Sequence, residues 1–175
     1  RIAGLAVDAD GAIYLAGSAG AGFAPGTVIN ANAGGRDAVL VRLEDGGSPT
    51  VSYTTFLGAE GDNTAASVKT AGGKVYLAGT TSGALPGPQQ SGERNSFAAG
   101  FDAATGALDW TQQVTGRGGV SEATGLVVDQ GGDSVLNRLG LPNGAIAYAD
   151  SRAINQRSSV RAGDHFFISV NGGRQ

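Results

Sequence analysis

An internal repeat constrains the fold of this 175-residue chain more than any other feature of its sequence. Several short stretches recur further along the chain, one of them almost unchanged and the others as similar patterns. The repeated stretches are, pair by pair, 12–17 and 74–79, 36–43 and 94–101, and, two periods apart, 4–8 and 125–129. Because separate landmarks agree on a period of about 60 residues, the chain is predicted to be an array of similar structural units.

Within each period, short runs of apolar residues alternate with polar ones and are bounded by glycine, asparagine and aspartate, which predicts strands rather than helices. Gly11 and Gly73 supply the positive φ that a tight hairpin turn needs. The predicted strands are 3–8, 12–17, 37–43 and 50–56 in the first repeat and 65–69, 74–79, 96–101 and 107–114 in the second. Four antiparallel strands per repeat are typical of a propeller blade, so the predicted fold is all-β, a partial β-propeller of four-stranded antiparallel blades.

Two regions are predicted. Residues 1–133 hold about two and a quarter repeats, and residues 134–175 begin another, β-rich module with a short helix at 134–142 and strands at 145–149 and 165–170. Closed propellers need more blades than this. We therefore expect the repeats to pack against the rest of their own polypeptide, against copies of the chain or against an assembly partner.

Motifs of the middle repeat carry a family resemblance. The motifs are Tyr53-Thr-Thr-Phe-Leu-Gly58, Gly61-Asp-Asn63, Lys74-Val-Tyr-Leu-Ala-Gly-Thr-Thr81, and Phe97 to Phe101 with Gly106. They resemble the bacterial SBBP-type β-propeller repeat, although Lys69 and Asn95 stand where that repeat has aspartates. The resemblance implies a propeller within large, often surface-located or secreted bacterial proteins, and it implies no catalytic residues. Residues 161–164, with the strand and Asn-Gly-Gly that follow, are similar to segments of flagellar filament and hook-associated proteins.

Composition excludes several classes of function. With 15% charged residues and a net charge of −3, the chain lacks the basic clusters of a nucleic-acid-binding protein. No apolar stretch approaches the roughly 18 residues of a membrane span. Cysteine is absent, which removes disulfides, thiolate metal sites and a cysteine nucleophile. The first residue is not methionine, and we expect the chain to be an excerpt of a longer polypeptide.

Asp8 and Asp10, in the run Asp-Ala-Asp-Gly, form a weak candidate for a calcium site, because Ca²⁺ takes closely spaced carboxylate oxygens. The later ligands of a calcium loop do not follow, and the counterpart stretch 70–72 has no carboxylate. A hairpin turn is the favoured interpretation. No cofactor and no catalytic residue is predicted.

Four aromatic residues, Tyr14, Tyr76, Tyr53 and Trp110, recur at equivalent positions of the repeat. A ligand site would be unique to one repeat, whereas packing between units recurs. These residues are therefore predicted to form the repeat core, because aromatic side chains bury large areas. A carbohydrate-binding aromatic platform is the alternative.

The predicted function is that of a non-enzymatic structural or interaction module in a larger bacterial surface or exported protein, with flagellar association as the narrower expectation. The long, glycine-rich loops 18–35 and 80–95 suit contacts with protein or glycan. Two alternatives stay open. One is a glycan-binding, lectin-like propeller, and the other is a propeller hydrolase or lyase, which needs carboxylates or histidines that converge in a channel.

Overall fold

The chain is all-β in a computed structural model that describes residues 1–86, 93–114, 121–128, 145–151 and 165–170, the last two segments as backbone only. The described part contains no helix. The strands are β1 Ile2–Val7, β2 Ile13–Ala19, β3 Thr27–Val28, β4 Asp37–Asp45, β5 Pro49–Leu57, β6 Asn63–Ala71, β7 Lys74–Thr81, β8 Asn95–Asp102, β9 Leu108–Val114, β10 Ser121–Val128, β11 Ala145–Ser151 and β12 His165–Val170. All eight strands predicted for the first two repeats are confirmed, with ends that differ by a few residues.

Three sheets follow one another along the chain. Sheet 1 has the antiparallel order β1-β2-β4-β5, and sheet 2 has the antiparallel order β6-β7-β8-β9. Sheet 3 consists of β10, β11 and β12, also antiparallel. The short β3, which the sequence pattern did not indicate, adds in parallel to the outer edge of β5. Tight turns therefore gather at one end of the sheets, and the loop 18–35 lies at the other.

The repeat is visible in the backbone as well as in the sequence. A β-bulge interrupts the first strand of each sheet at the same place. The bulges lie between Ile2 and Gly4, between Ala65 and Ser67, and between Ala123 and Gly125. Between sheets, the Asn63 amide donates to the Arg36 carbonyl at 2.7 Å, and the Ser121 amide donates to the Arg94 carbonyl at 3.1 Å. Sheet 3 thus begins as a third unit of the same repeat.

The hydrophobic core lies between successive sheets. The largest cluster combines buried side chains of sheet 1, such as Tyr14 and Leu40, with those of sheet 2, such as Leu77 and Phe97. A second cluster joins sheet 2 to Leu126 and its neighbours in sheet 3. A third covers the face of sheet 1 that points away from sheet 2. Sheets 1 and 2 are therefore apolar on both faces, as expected of sheets that pack against other layers.

The C-terminal region is described in part. The strands predicted at 145–149 and 165–170 are present as β11 and β12. The helix predicted at 134–142 and the boundary predicted at 133/134 lie outside the described residues. That boundary falls between β10 and β11, which pair with each other in sheet 3. In the part of the chain that the structure describes, no helix is long and apolar enough to span a membrane.

Candidate functional site

The two recurring aromatic residues of the first repeat lie in a row that faces sheet 2. Strand pairing sets Tyr14 beside Arg42, and Arg42 beside Tyr53. The Arg42 Nε donates to the Tyr14 hydroxyl at 3.2 Å, and the Tyr14 hydroxyl lies 2.9 Å from Asp8 Oδ2. The Tyr53 hydroxyl donates across the interface to the Ala103 carbonyl at 3.1 Å. We call Tyr14, Arg42 and Tyr53 the tyrosine row.

The environment of the tyrosine row keeps both hydroxyls protonated. Burial raises the pKa of Tyr14, and the Asp8 carboxylate raises it further, against the opposing effect of the Arg42 guanidinium. Burial also raises the pKa of Tyr53 far above its ordinary value. Both tyrosines therefore act as hydrogen-bond donors at neutral pH, a role that joins sheets and does not supply a base or a nucleophile.

The corresponding row of sheet 2 is apolar in character. Strand pairing sets Tyr76 beside Gly100, and Gly100 beside Trp110. The rings of Tyr76 and Trp110 have centroids 6.3 Å apart and planes tilted by 45°. Gly100 makes room for the indole, because a Cβ there would lie 2.5 Å from Trp110 Nε1. We call Tyr76, Gly100 and Trp110 the tryptophan row; it packs against the first strand of sheet 3.

The four recurring aromatic residues thus lie at the contacts between successive sheets. Tyr14 and Tyr53 are buried, with 0% and 3% of their surface exposed. Tyr76 and Trp110 are half-buried. The two pairs occupy matching register positions but differ in their partners, since the first pair makes hydrogen bonds and the second makes ring contacts.

Asp8 serves the turn between β1 and β2. Its Oδ1 accepts hydrogen bonds from the amides of Asp10 at 3.0 Å and Ala12 at 2.9 Å, while its Oδ2 faces the Tyr14 hydroxyl. Both carboxylate oxygens therefore have partners, as in an Asx turn. Asp10 is exposed. Across the residues that the structure describes, no three His, Cys, Asp or Glu side chains come together in a way that could hold a metal ion.

A buried polar chain at the loop end was missed by sequence reasoning. The fully buried Asp37 accepts hydrogen bonds from Asn63 Nδ2 at 3.0 Å and from the Ala33 amide at 2.6 Å. The Thr81 hydroxyl in turn donates to Asn63 Oδ1 at 2.5 Å. Gly58 packs so closely on the Asp37 carboxylate that a Cβ has no room. The available signal was Asp37 itself, a charged residue directly before the apolar run 38–41.

An apolar groove on the outward face of sheet 1 was also missed. The groove has a volume of about 380 Å³ and opens to solvent. Its lining includes Leu15, Val39, Val41, Leu43 and Val51 from the strands, together with Phe23 and Pro25 from the loop. Near it, Ile2 is 66% exposed and Leu5 is 60% exposed. An apolar face of this kind is typical of an interaction surface.

A polar cleft of about 370 Å³ lies between the turn ends of sheets 1 and 2 and is lined in part by Asp8, Asp10 and Lys74. The Lys74 ammonium is paired with Asp109 at 2.8 Å and with Asp102 at 3.5 Å. The hydrogen bond from Lys74 to Asp109 raises the pKa of the lysine, so its amine stays charged. Because its lysine is paired with neighbouring carboxylates, we interpret the cleft as part of the structural surface.

Comparison with known proteins gives one informative similarity. No protein-family model matches the chain, so the resemblance to the SBBP-type repeat stays a hypothesis. The Regulatory protein FlaEY of Caulobacter vibrioides is 34% identical to this chain over 170 residues. The match covers 96% of this chain and 18% of FlaEY. The chain therefore spans less than a fifth of the length of this relative, and nearly all of the chain has a counterpart there.

Proposed function

We propose that the chain is a non-enzymatic structural and interaction module of a larger, flagellum-associated bacterial protein, displayed at the cell surface or exported. This proposal rests on the positions and contacts of the recurring aromatic residues. The tyrosine row and the tryptophan row direct their polar and aromatic groups into contacts between successive sheets. A repeat whose recurring aromatic side chains pack between successive units is typical of scaffolds that display loops.

The finer architecture that we propose is a propeller-type array. Apart from the short parallel strand β3 at the edge of sheet 1, sheets 1 and 2 are four-stranded antiparallel meanders, the form of a propeller blade. Their packing supports the idea, because side chains from both faces of sheet 2 join clusters with sheets 1 and 3. The long loop 18–35 then lies on one rim, where a partner protein can reach it.

The flagellar association rests on the similarity to FlaEY, whose name points to flagellar proteins and to regulation. The similarity extends over nearly the whole chain, including the repeat. Because the match covers a small part of FlaEY, the chain is proposed as one module of such a protein, and the rest of that protein supplies the other parts of its role.

The absence of catalysis remains a prediction, and the roles of the described titratable groups support it. Asp8 and Asp37 orient backbone amides, and Tyr14 and Tyr53 join sheets. A hydrolase or lyase needs an acid, base or nucleophile aimed into a cleft that a substrate can enter. Where a titratable side chain is committed to a structural hydrogen bond, it lacks that freedom.

Co-sedimentation with flagella tests the proposal. The purified chain is mixed with intact flagella from Caulobacter vibrioides and centrifuged, and the chain is expected in the pellet in a saturable manner. Ile29, 40% exposed in the loop 18–35, is changed in Ile29→Ser, which should weaken the binding. Ala104→Ser, at an exposed turn at the opposite end of the sheets, is the matched control and should bind normally. Retention of the unmodified chain in the supernatant at saturating flagella would overturn the proposal.

A further inference from the structure

We infer that a crevice around Arg36, at the loop end of the interface between sheets 1 and 2, binds the carboxylate of an acidic side chain on a partner protein. The source of the carboxylate rests on the proposed function, since an interaction module presents its sites to other proteins. The crevice has a volume of about 380 Å³. We call it the Arg36 crevice, and its lining residues with polar side chains are Arg1, Ser18, Arg36 and Thr64.

The Arg36 guanidinium has no partner among the residues that the structure describes. It makes neither a hydrogen bond nor an ion pair there, although the Arg36 carbonyl accepts a hydrogen bond from the Asn63 amide at 2.7 Å. Ser18, in the same lining, is only 4% exposed, and its hydroxyl has no hydrogen bond to a described residue. The crevice therefore holds donors that lack an acceptor.

The interface between sheets 2 and 3 shows which group completes such a site. The Ser121 amide donates to the Arg94 carbonyl as the Asn63 amide donates to that of Arg36, so Arg94 holds the position of Arg36. Arg94 Nη1 is paired with Glu122 Oε1 at 2.8 Å. Half of each side chain in this pair is exposed, so the pair itself adds little stability. It does show that the arginine at this position takes a carboxylate.

The acid of that pair is missing from the first interface. The β-bulges of β6 and β10 align the two strands, and Thr64 and Glu122 each stand directly before the first residue of the bulge. Thr64 therefore has a hydroxyl group where Glu122 has a carboxylate. The Arg36 crevice keeps the arginine of the repeat and lacks its acidic partner.

The chemistry of the crevice favours a carboxylate from outside. A guanidinium presents parallel N–H donors that match the two oxygens of a carboxylate. Arg1 adds a second positive charge, and no acidic residue of the described part lines the crevice. The net charge of the whole chain is −3, so general electrostatic attraction does not draw anions to it. Because Arg36 is exposed, a side chain presented by another protein can reach it.

Titration of the whole chain with the peptide acetyl-Gly-Glu-Gly-amide tests the inference. It is followed through the NMR signals of the arginine Nε–H groups at low ionic strength, because salt screens exposed charges. The peptide should shift the Arg36 signal in a saturable manner and leave the Arg94 signal unchanged. The same peptide with glutamine in place of glutamate should have no effect. Acetate, a free carboxylate without a peptide, should bind more weakly than the glutamate peptide.

One variant supplies the missing acid from within the chain. Thr64→Glu should pair with Arg36 as Glu122 pairs with Arg94, and it should weaken peptide binding by about fivefold, the ratio expected of an exposed ion pair. Thr27→Glu makes the same change in the exposed strand β3, outside the crevice, and should bind the peptide normally. Circular dichroism checks that both variants keep their strands.

The reciprocal variant removes the acid from the second interface. Glu122→Thr leaves Arg94 without its carboxylate, so the Arg94 signal should now respond to the peptide as well. An unresponsive Arg36 signal in the unmodified chain, equal binding of the glutamine peptide, normal binding by Thr64→Glu or an unresponsive Arg94 in Glu122→Thr would overturn the inference.

Two further outcomes separate the source of the carboxylate from the proposed function. Acetate that binds as tightly as the glutamate peptide would overturn the assignment to a partner protein. The proposed function fails separately, because a chain that stays in the supernatant with flagella and still binds the peptide at Arg36 loses that function and keeps the carboxylate site.

Discussion

The interface between sheets 1 and 2 and the interface between sheets 2 and 3 use the same register positions with different chemistry. The first is held by the tyrosine row, in which Arg42 lies between two tyrosines and hydrogen bonds reach the Asp8 carboxylate and the Ala103 carbonyl. The second is formed by the tryptophan row, in which Gly100 leaves room for an indole. The middle residue of the row therefore differs in its role, since Arg42 donates a hydrogen bond to Tyr14 and Gly100 leaves space for the Trp110 ring.

The two interfaces also differ at their loop ends, where the first again has the stronger polar contact. The first is joined by the hydrogen bond between the buried side chains of Asp37 and Asn63. In the second, Ser121 holds the position of Asn63, and its hydroxyl shares a hydrogen bond at 3.0 Å with that of Ser96, whereas the counterpart of Asp37 is the neutral Asn95. Charge-assisted hydrogen bonds are stronger than those between neutral groups. The first interface is therefore expected to be the more stable of the two.

The largest expected effect comes from truncating one tyrosine of each row. Tyr14→Ala should lower the free energy of unfolding by about 3–5 kcal/mol, because Tyr14 is fully buried and hydrogen-bonded. Tyr76→Ala should lower it by about 1–2 kcal/mol, because Tyr76 is half-buried. Urea denaturation of the two variants measures both losses. Equal losses of free energy in the two variants would contradict the expectation that the first interface is the more stable.

A smaller effect is expected from filling the space under the indole. Gly100→Ala places a methyl group against the Trp110 ring and should cost about 1–3 kcal/mol. The control is Gly46→Ala, since a Cβ at Gly46 meets nothing within 4 Å, and it should change stability by less than about 0.5 kcal/mol. Thermal unfolding compares the two. If both glycines tolerated alanine, the packing assigned to the tryptophan row would be wrong.

Removing single hydroxyl groups sharpens the comparison further. Tyr53→Phe deletes the hydrogen bond to the Ala103 carbonyl and should cost about 1 kcal/mol. In the described part of the structure the Tyr76 hydroxyl makes no hydrogen bond, so Tyr76→Phe should stay within about 0.5 kcal/mol of the unmodified chain. Chemical denaturation is sensitive enough to separate them. If Tyr76→Phe lost more free energy of unfolding than Tyr53→Phe, the assignment of the tyrosine row as polar and the tryptophan row as apolar would be wrong.

The smallest expected effect is that of calcium on the two hairpin turns. The turn after β1 has its Asp8 carboxylate engaged by amides, and the matching turn after β6 has no carboxylate at 70–72. Millimolar Ca²⁺ or a chelator should therefore leave the melting temperature unchanged. A shift of several degrees with Ca²⁺ would show that Asp8 and Asp10 bind the ion.

Much of the fold was predictable because it is periodic. The recurrence of the pattern around Tyr14 at Tyr76 and the alternation of apolar residues located eight of the nine strands in the first two sheets. Strand β3 was missed because two residues carry no measurable alternation. The pairing of β10 with β11 across the predicted boundary at 133/134 was not indicated by any local pattern.

The site was less predictable because its contacts cross between sheets. Tyr53 and Ala103 are 50 residues apart, and nothing local indicates that a turn carbonyl accepts a tyrosine hydroxyl. The exchange of Arg42 for Gly100 is visible in the aligned repeats, but its meaning depends on the Trp110 ring above the glycine. The exposure of Leu5 was unpredictable for a similar reason, since Leu5 and Val68 have the same sequence pattern and differ only in what covers them.

The central claim is that successive sheets pack through equivalent positions of the repeat, and an engineered disulfide tests it most directly. The chain has no cysteine, so Gly4→Cys with Val68→Cys creates the only pair. A Cβ at Gly4 would lie 3.3 Å from Val68 Cγ1, close enough for a disulfide between sheets 1 and 2. Gly46→Cys with Val68→Cys is the control. Mass spectrometry after mild oxidation should find an intramolecular disulfide in the first variant and free thiols in the control. Free thiols in both variants would contradict the packing of sheet 1 on sheet 2.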